Sequence, residues 1–191
     1  IFQSALAGLE QVRQRLDMRA IQRAVELLAT AQKIGFFGLG ASAVVAHDAM
    51  NKFFRFNVPV FYSDDVVMQR MSCINSGAGD VVVLISHTGR TRSLPELAQL
   101  ARENGAVVLA ITASGSPLAQ EASLLLALDV AEDTDIYMPM VSRMAQLMLI
   151  DVLATGFTLH HGASFRDKLK RVKEALKTSR LDKGLEAFPE P

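Results

Sequence analysis

The chain has 191 residues, half of them hydrophobic, with 20 basic and 20 acidic side chains and a net charge of zero. That length builds one domain with a substantial core and falls short of two full-sized ones. Balanced charge excludes a global field drawing the chain to nucleic acid or an anionic membrane, so a polyanion contact has to be local.

The chain opens on Ile1 inside a helical pattern, which suggests a piece of a longer protein. It shows no basic-then-apolar leader, so a cytoplasmic setting is expected. Residues 2–16 and 18–31 read as two helices, with Asp17 placed to cap the second. A short strand, IGFFGLG, then ends in glycines and leads into a helix over 41–56. VPVFY is the second strand, and a helix with an acidic cap covers 64–74. VVVLIS is the third strand, followed by a helix over 93–104 that tolerates Pro95 in its first turn and ends at Gly105. AVVLAIT is the fourth strand, SPLAQEA a short helix and SLLLAL the fifth strand. From Pro139 the pattern is helical in two pieces broken at His160-His161-Gly162, before a loose tail.

Strands alternating with helices of about a dozen residues predict βαβ units and a parallel sheet. The expected fold is α/β: a three-layer α/β/α sandwich on a five-stranded parallel sheet, in the flavodoxin-like order 2-1-3-4-5. Residues 1–180 are expected to form one domain and 181–191 a tail. The apolar stretch 140–159 has the length of a membrane span, but Arg143 and Asp151 lie inside it, so a buried or subunit-facing helix is expected instead.

The run VVVLIS reads straight into His87-Thr88-Gly89-Arg90-Thr91, small donors around a glycine at the mouth of a helix. The first strand ends likewise, in Gly38-Leu39-Gly40-Ala41-Ser42. In the order 2-1-3-4-5 these strands are neighbours whose chains depart in opposite directions, so their carboxyl ends form one crevice. Helix N-termini favour an anion there, glycines allow close backbone approach, and Ser42, Ser86, Thr88 and Thr91 add hydroxyls. A phosphate monoester suits such a site. Each loop alone also reads as an ordinary glycine turn with an N-cap hydroxyl. Gly38-x-Gly40-x-x-Ala43 also satisfies a dinucleotide fingerprint, with Asp64 or Asp65 as the ribose acid, but that reading leaves the second loop unexplained.

On these residues the chain resembles the SIS (sugar isomerase) fold, whose members bind phosphosugars through a Ser-x-Ser/Thr-Gly-x-Thr loop. Ser86-His87-Thr88-Gly89-Arg90-Thr91 matches that loop, and GLGAS matches the family's GxGxS turn. VSRMAQLMLIDVL resembles a helix of the effector domain in RpiR-type bacterial transcriptional regulators, in particular those of hexose catabolism. The resemblance covers roughly residues 20–180. It implies a non-catalytic sensor whose phosphate is held by Ser42, Ser86, Thr88, Gly89 and Thr91, with Gly40, Ala41, His87, Arg90, Lys52 and Arg55 as further ligand candidates. It also implies the effector 2-keto-3-deoxy-6-phosphogluconate, assembly as a homodimer or homotetramer, and DNA contact through an N-terminal helix-turn-helix domain missing here. No cofactor, metal or membrane partner is expected.

Sugar-phosphate isomerases of this fold often carry Glu before the last Thr of the loop, where this chain has Arg90. A guanidinium cannot serve as a base at neutral pH, although it suits a phosphate or a sugar-acid carboxylate. Isomerase chemistry is the alternative reading, with His47, Asp48 or His87 as the general base. Lys52 and Arg55 also read as solvated helix charges. His160-His161 lacks the further ligands a zinc site needs. Residues 166–183 carry eight bases against three acids, which reads as a solvated helix face or a contact with DNA backbone or another subunit. Cys73 is expected to be an inert core thiol. Phe53, Phe54, Phe56, Phe61 and the Met-rich stretch 138–148 are expected to be mostly core.

Overall fold

The computed structural model describes residues 1–132 and 140–177. The predicted tail, and the ends of the Met-rich and basic stretches at Met138 and 178–183, lie outside the described residues. Five parallel strands form one sheet: β1 (Lys33–Gly38), β2 (Val60–Ser63), β3 (Asp80–Ile85), β4 (Val107–Thr112) and β5 (Leu124–Ala127). Their spatial order is β2-β1-β3-β4-β5, as the alternation and the two glycine loops led us to expect. The three central strands are buried on both faces after their first residue, which is why they read as unbroken apolar runs. The edge strands β2 and β5 are half-buried.

Two apolar cores lie on opposite faces of the sheet. One is built with α1 (Phe2–Arg15), α2 (Met18–Thr30), α3 (Ala41–Phe54) and α7 (Val141–His160), and α8 (Gly162–Ala175) adds Phe165 and Leu169 at its edge. The other is built with α4 (Val66–Ile74), α5 (Ser93–Glu103) and α6 (Pro117–Glu121). Caps set the helix starts. The Arg19 amide donates to Asp17 Oδ1 and the Met68 amide to Asp65 Oδ1, each at 2.8 Å, and the Ala119 amide donates to Ser116 Oγ at 3.2 Å. Gly162, with φ of 76°, makes the break between α7 and α8.

One expectation about the core changes and another holds. Phe53 and Phe56 are buried and Phe61 packs against its edge, but Phe54 is 74 % exposed, because one step around the helix carries a side chain off the face that Phe53 points inward. Cys73 is fully buried although Met71 and Ile74 beside it are exposed, and burial pushes its thiol up to about 11. Arg143 and Asp151 lie on the exposed side of α7, and Lys52 Nζ pairs with Asp151 Oδ1 at 2.8 Å. Among the described residues no helix is long and apolar enough to cross a membrane.

Candidate anion-binding site

The carboxyl ends of β1 and β3 lie side by side. Gly38 pairs with Ile85 in the parallel ladder, so the chain leaves both strands from adjacent points, within the roughly 5 Å that separates neighbouring strands. From Gly38 it passes through Gly40, with φ of 56° and ψ of −128°, directly into α3. A residue with a Cβ disfavours that backbone conformation, so the turn depends on glycine. The Ser42 amide donates to Leu39 O at 3.2 Å, and Ser42 is buried in the first turn. First-turn amides and the positive end of the helix dipole therefore face the crevice beyond β1.

The second loop is held from inside. Ser86 is buried, its amide donates to Ile111 O at 3.0 Å, and its Oγ accepts from the Gly89 amide at 3.1 Å. Gly89 has φ of 63°, and a Cβ there would run into Ser116 Oγ and stand 2.6 Å from Thr112 Oγ1. Thr88 and Thr91 are exposed, and Thr88 Oγ1 accepts from the Arg90 amide at 3.4 Å. His87 is half-buried and Arg90 exposed. The two loops thus present two buried hydroxyls at their roots and two exposed ones on the second rim.

A third loop, after β4, was not singled out in the sequence. The Ala113 amide donates to His87 O and the Leu118 amide to Gly89 O, both at 3.1 Å, so Thr112–Ser116 buttresses the second loop. Ser114 in turn donates from its amide and its hydroxyl to Asp129, each at 2.8 Å. Glu132 closes the same edge of the fold by accepting from the amides of Met140, Val141 and Ser142 and from the Ser142 hydroxyl, at the start of α7. Burial pushes the Glu132 carboxyl up, but these hydrogen bonds outweigh it and hold the group below the usual carboxylate range. The available signal was a carboxylate eight positions before Met140, too far for the short-range capping pattern to reveal.

Not every candidate joins this crevice. Lys52 and Arg55 stand at the far end of α3, about 15 Å and more along the helix from Ser42 at 1.5 Å per residue. Lys52 is engaged there with Asp48 and Asp151. His47 packs on the Tyr62 ring with centroids 4.9 Å apart. Among the described residues no group of three or more His, Cys, Asp or Glu gathers as a metal set would. What the crevice offers chemically is hydroxyls, backbone amides and helix dipole, which together stabilise a compact, multiply charged oxyanion.

Residues 27–156 match the SIS domain model. The chain belongs to the SIS-domain family. It is 73 % identical over 185 residues to the HTH-type transcriptional regulator HexR of Escherichia coli, covering 97 % of this chain and 64 % of that protein. To HexR of Pseudomonas aeruginosa it is 56 % identical over 180 residues, 94 % of this chain and 63 % of the relative. The chain therefore spans somewhat under two thirds of the curated relatives it matches. Among solved structures, Vibrio vulnificus NanR complexed with ManNAc-6P superposes with a TM-score of 0.87 at 25 % identity, covering 94 % of this chain and 68 % of that one.

Proposed function

We propose that residues 1–180 form the effector domain of a bacterial transcriptional regulator of hexose catabolism, and that it binds a phosphosugar without transforming it. The observation that carries this reading is the pairing of Gly38 with Ile85, which sets the Ser42 turn and the Ser86–Thr91 loop at one crevice. Ser42, Ser86, Thr88 and Thr91 are the hydroxyl donors to phosphate in this reading, with backbone help from Gly40, Ala41 and Gly89, and His87 and Arg90 at the rim. The likeness to HexR along 97 % of the chain supports a regulator, and the sugar phosphate complexed with NanR supports the ligand class. The effector proposed is 2-keto-3-deoxy-6-phosphogluconate, whose carboxylate suits the Arg90 guanidinium.

The regulator reads DNA through a helix-turn-helix domain elsewhere in the longer protein and works in the bacterial cytoplasm as a homodimer or homotetramer. The effector acts by binding two arrangements of that assembly with different affinity. Arg90 stands where an isomerase of this fold often carries an acid, and His47 packs on Tyr62 while Asp48 pairs with Lys52, which leaves His87 of the second loop as the remaining base candidate of the three. Calorimetry tests the reading. The effector is expected to bind at least about tenfold more tightly than its unphosphorylated analogue, a difference of about 1.4 kcal/mol. Equal affinities dispose of the phosphate site, and turnover of a sugar phosphate by the purified chain replaces the sensor with an isomerase.

A further inference from the structure

We infer that Gln69 of α4 is a positioning residue for the phosphate crevice, an inference that rests on the phosphate-binding reading above. Gln69 is fully buried, a rare place for an uncharged amide unless its polar atoms have partners. Its Nε2 donates to Ser63 O at 2.7 Å and to Gly38 O at 3.2 Å. These are the carbonyls of the last residues of β2 and β1, at the margin of the sheet: the ladder between the two strands finishes at the pairing of Phe37 with Ser63. One side-chain amide thus staples two strand ends.

The orientation of that amide is fixed by chemistry. Exchanging its nitrogen and oxygen would aim Oε1 at two carbonyl oxygens. With the nitrogen placed on the carbonyls, Oε1 is left buried without a donor among the described residues. An unmet buried acceptor opposes folding while the two hydrogen bonds that Nε2 donates favour it, and methionine would fill the same length of space without any of the three. What Gln69 supplies besides that balance is the fixed position of the two carbonyls it holds.

Gly38 transmits that position. A Cβ on Gly38 would stand 2.7 Å from Ser42 O and 3.1 Å from Ile85 O, so its backbone packs directly on the first turn of α3 and on the end of β3. Displacing the Gly38 carbonyl moves the root of one phosphate loop against the root of the other. A misplacement of well under an ångström is enough to weaken hydrogen bonds to a small anion.

The test compares the 191-residue chain with Gln69→Met, Gln69→Asn and, as a control on the same helix, Cys73→Ala. Kd for inorganic phosphate is read by calorimetry and Tm by circular dichroism. Gln69→Met is expected to weaken phosphate binding about tenfold while changing Tm by no more than Cys73→Ala does, since it removes an unmet acceptor together with two hydrogen bonds. Asparagine is one methylene too short to reach both carbonyls and is expected to show the same loss of binding, which decides the matter where the methionine variant does not fold. Cys73→Ala is expected to lower Tm and leave Kd unchanged. Phosphate bound within twofold of the parent by the Gln69 variants, or a loss that merely tracks Tm across all three, overturns the inference alone. Failure of the parent to bind phosphate overturns the phosphate reading beneath it.

Discussion

At the end of the sheet where the strands begin, Phe56 stacks on Phe157 with centroids 4.7 Å apart, and Phe165 and His161 pack around the pair. At the end where the strands finish, the side chains are small and hydroxylated and the backbone turns through Gly40 and Gly89 at positive φ. The first end holds the layers together by burying ring area, a term that depends on area and tolerates small shifts. The second end holds backbone amides and hydroxyls at set positions, a term that depends on direction and tolerates few. Substitutions at the two ends should therefore separate stability from binding.

Phe157→Ala should have the largest effect on folding. It removes a side chain that is 2 % exposed and touches four other rings, and a loss of about 3–5 kcal/mol in unfolding free energy is expected by denaturant titration, with phosphate affinity retained in the folded fraction. A binding loss in proportion would show that the two ends are not separable. Ser42→Ala and Ser86→Ala should do the reverse. On the proposed reading each removes a hydrogen bond to the phosphate, worth about 1.5–3 kcal/mol of binding, while calorimetry and thermal melting should show the fold intact. Parent-like affinity in both variants means the hydroxyls do not touch the ligand.

The smallest effect is a pH dependence at the hydroxylated end. Because the Glu132 carboxyl is held below its usual range in the folded state, its contribution to stability is present above the ordinary glutamate value of about 4.3 and is lost as the pH falls through the depressed folded value. Glu132→Gln should flatten that acid limb of the stability curve. An unchanged acid limb would remove Glu132 as the clamp on the start of α7.

Most of the sheet was legible because its residues report their own surroundings. Val81 to Ile85 and the run after Gly105 are apolar throughout since both faces are covered, and Asp17 and Asp65 mark helix starts because their side chains accept amides only two or three residues on. The two glycine-and-hydroxyl loops were legible because these residues cluster where a strand meets a helix. Phe54 and Phe53 differ by one position and by nearly the full range of burial, which hydrophobicity alone could not rank. Lys52 and Arg55 looked like ligand candidates from their nearness in sequence to Ser42, yet helix rise carries them away from it.

By itself, then, the sequence determined the alternation of elements, the strand interiors and the two loop motifs, since all of these depend on local pattern and on short-range hydrogen bonds. Tertiary structure alone decided that Thr112 and Ser116 buttress Gly89 and that Gln69 reaches from α4 to the ends of two strands. Apart from the Gln69–Ser63 hydrogen bond, those contacts join residues tens of positions apart. They are set by how layers pack and how strands order, and no local preference encodes them.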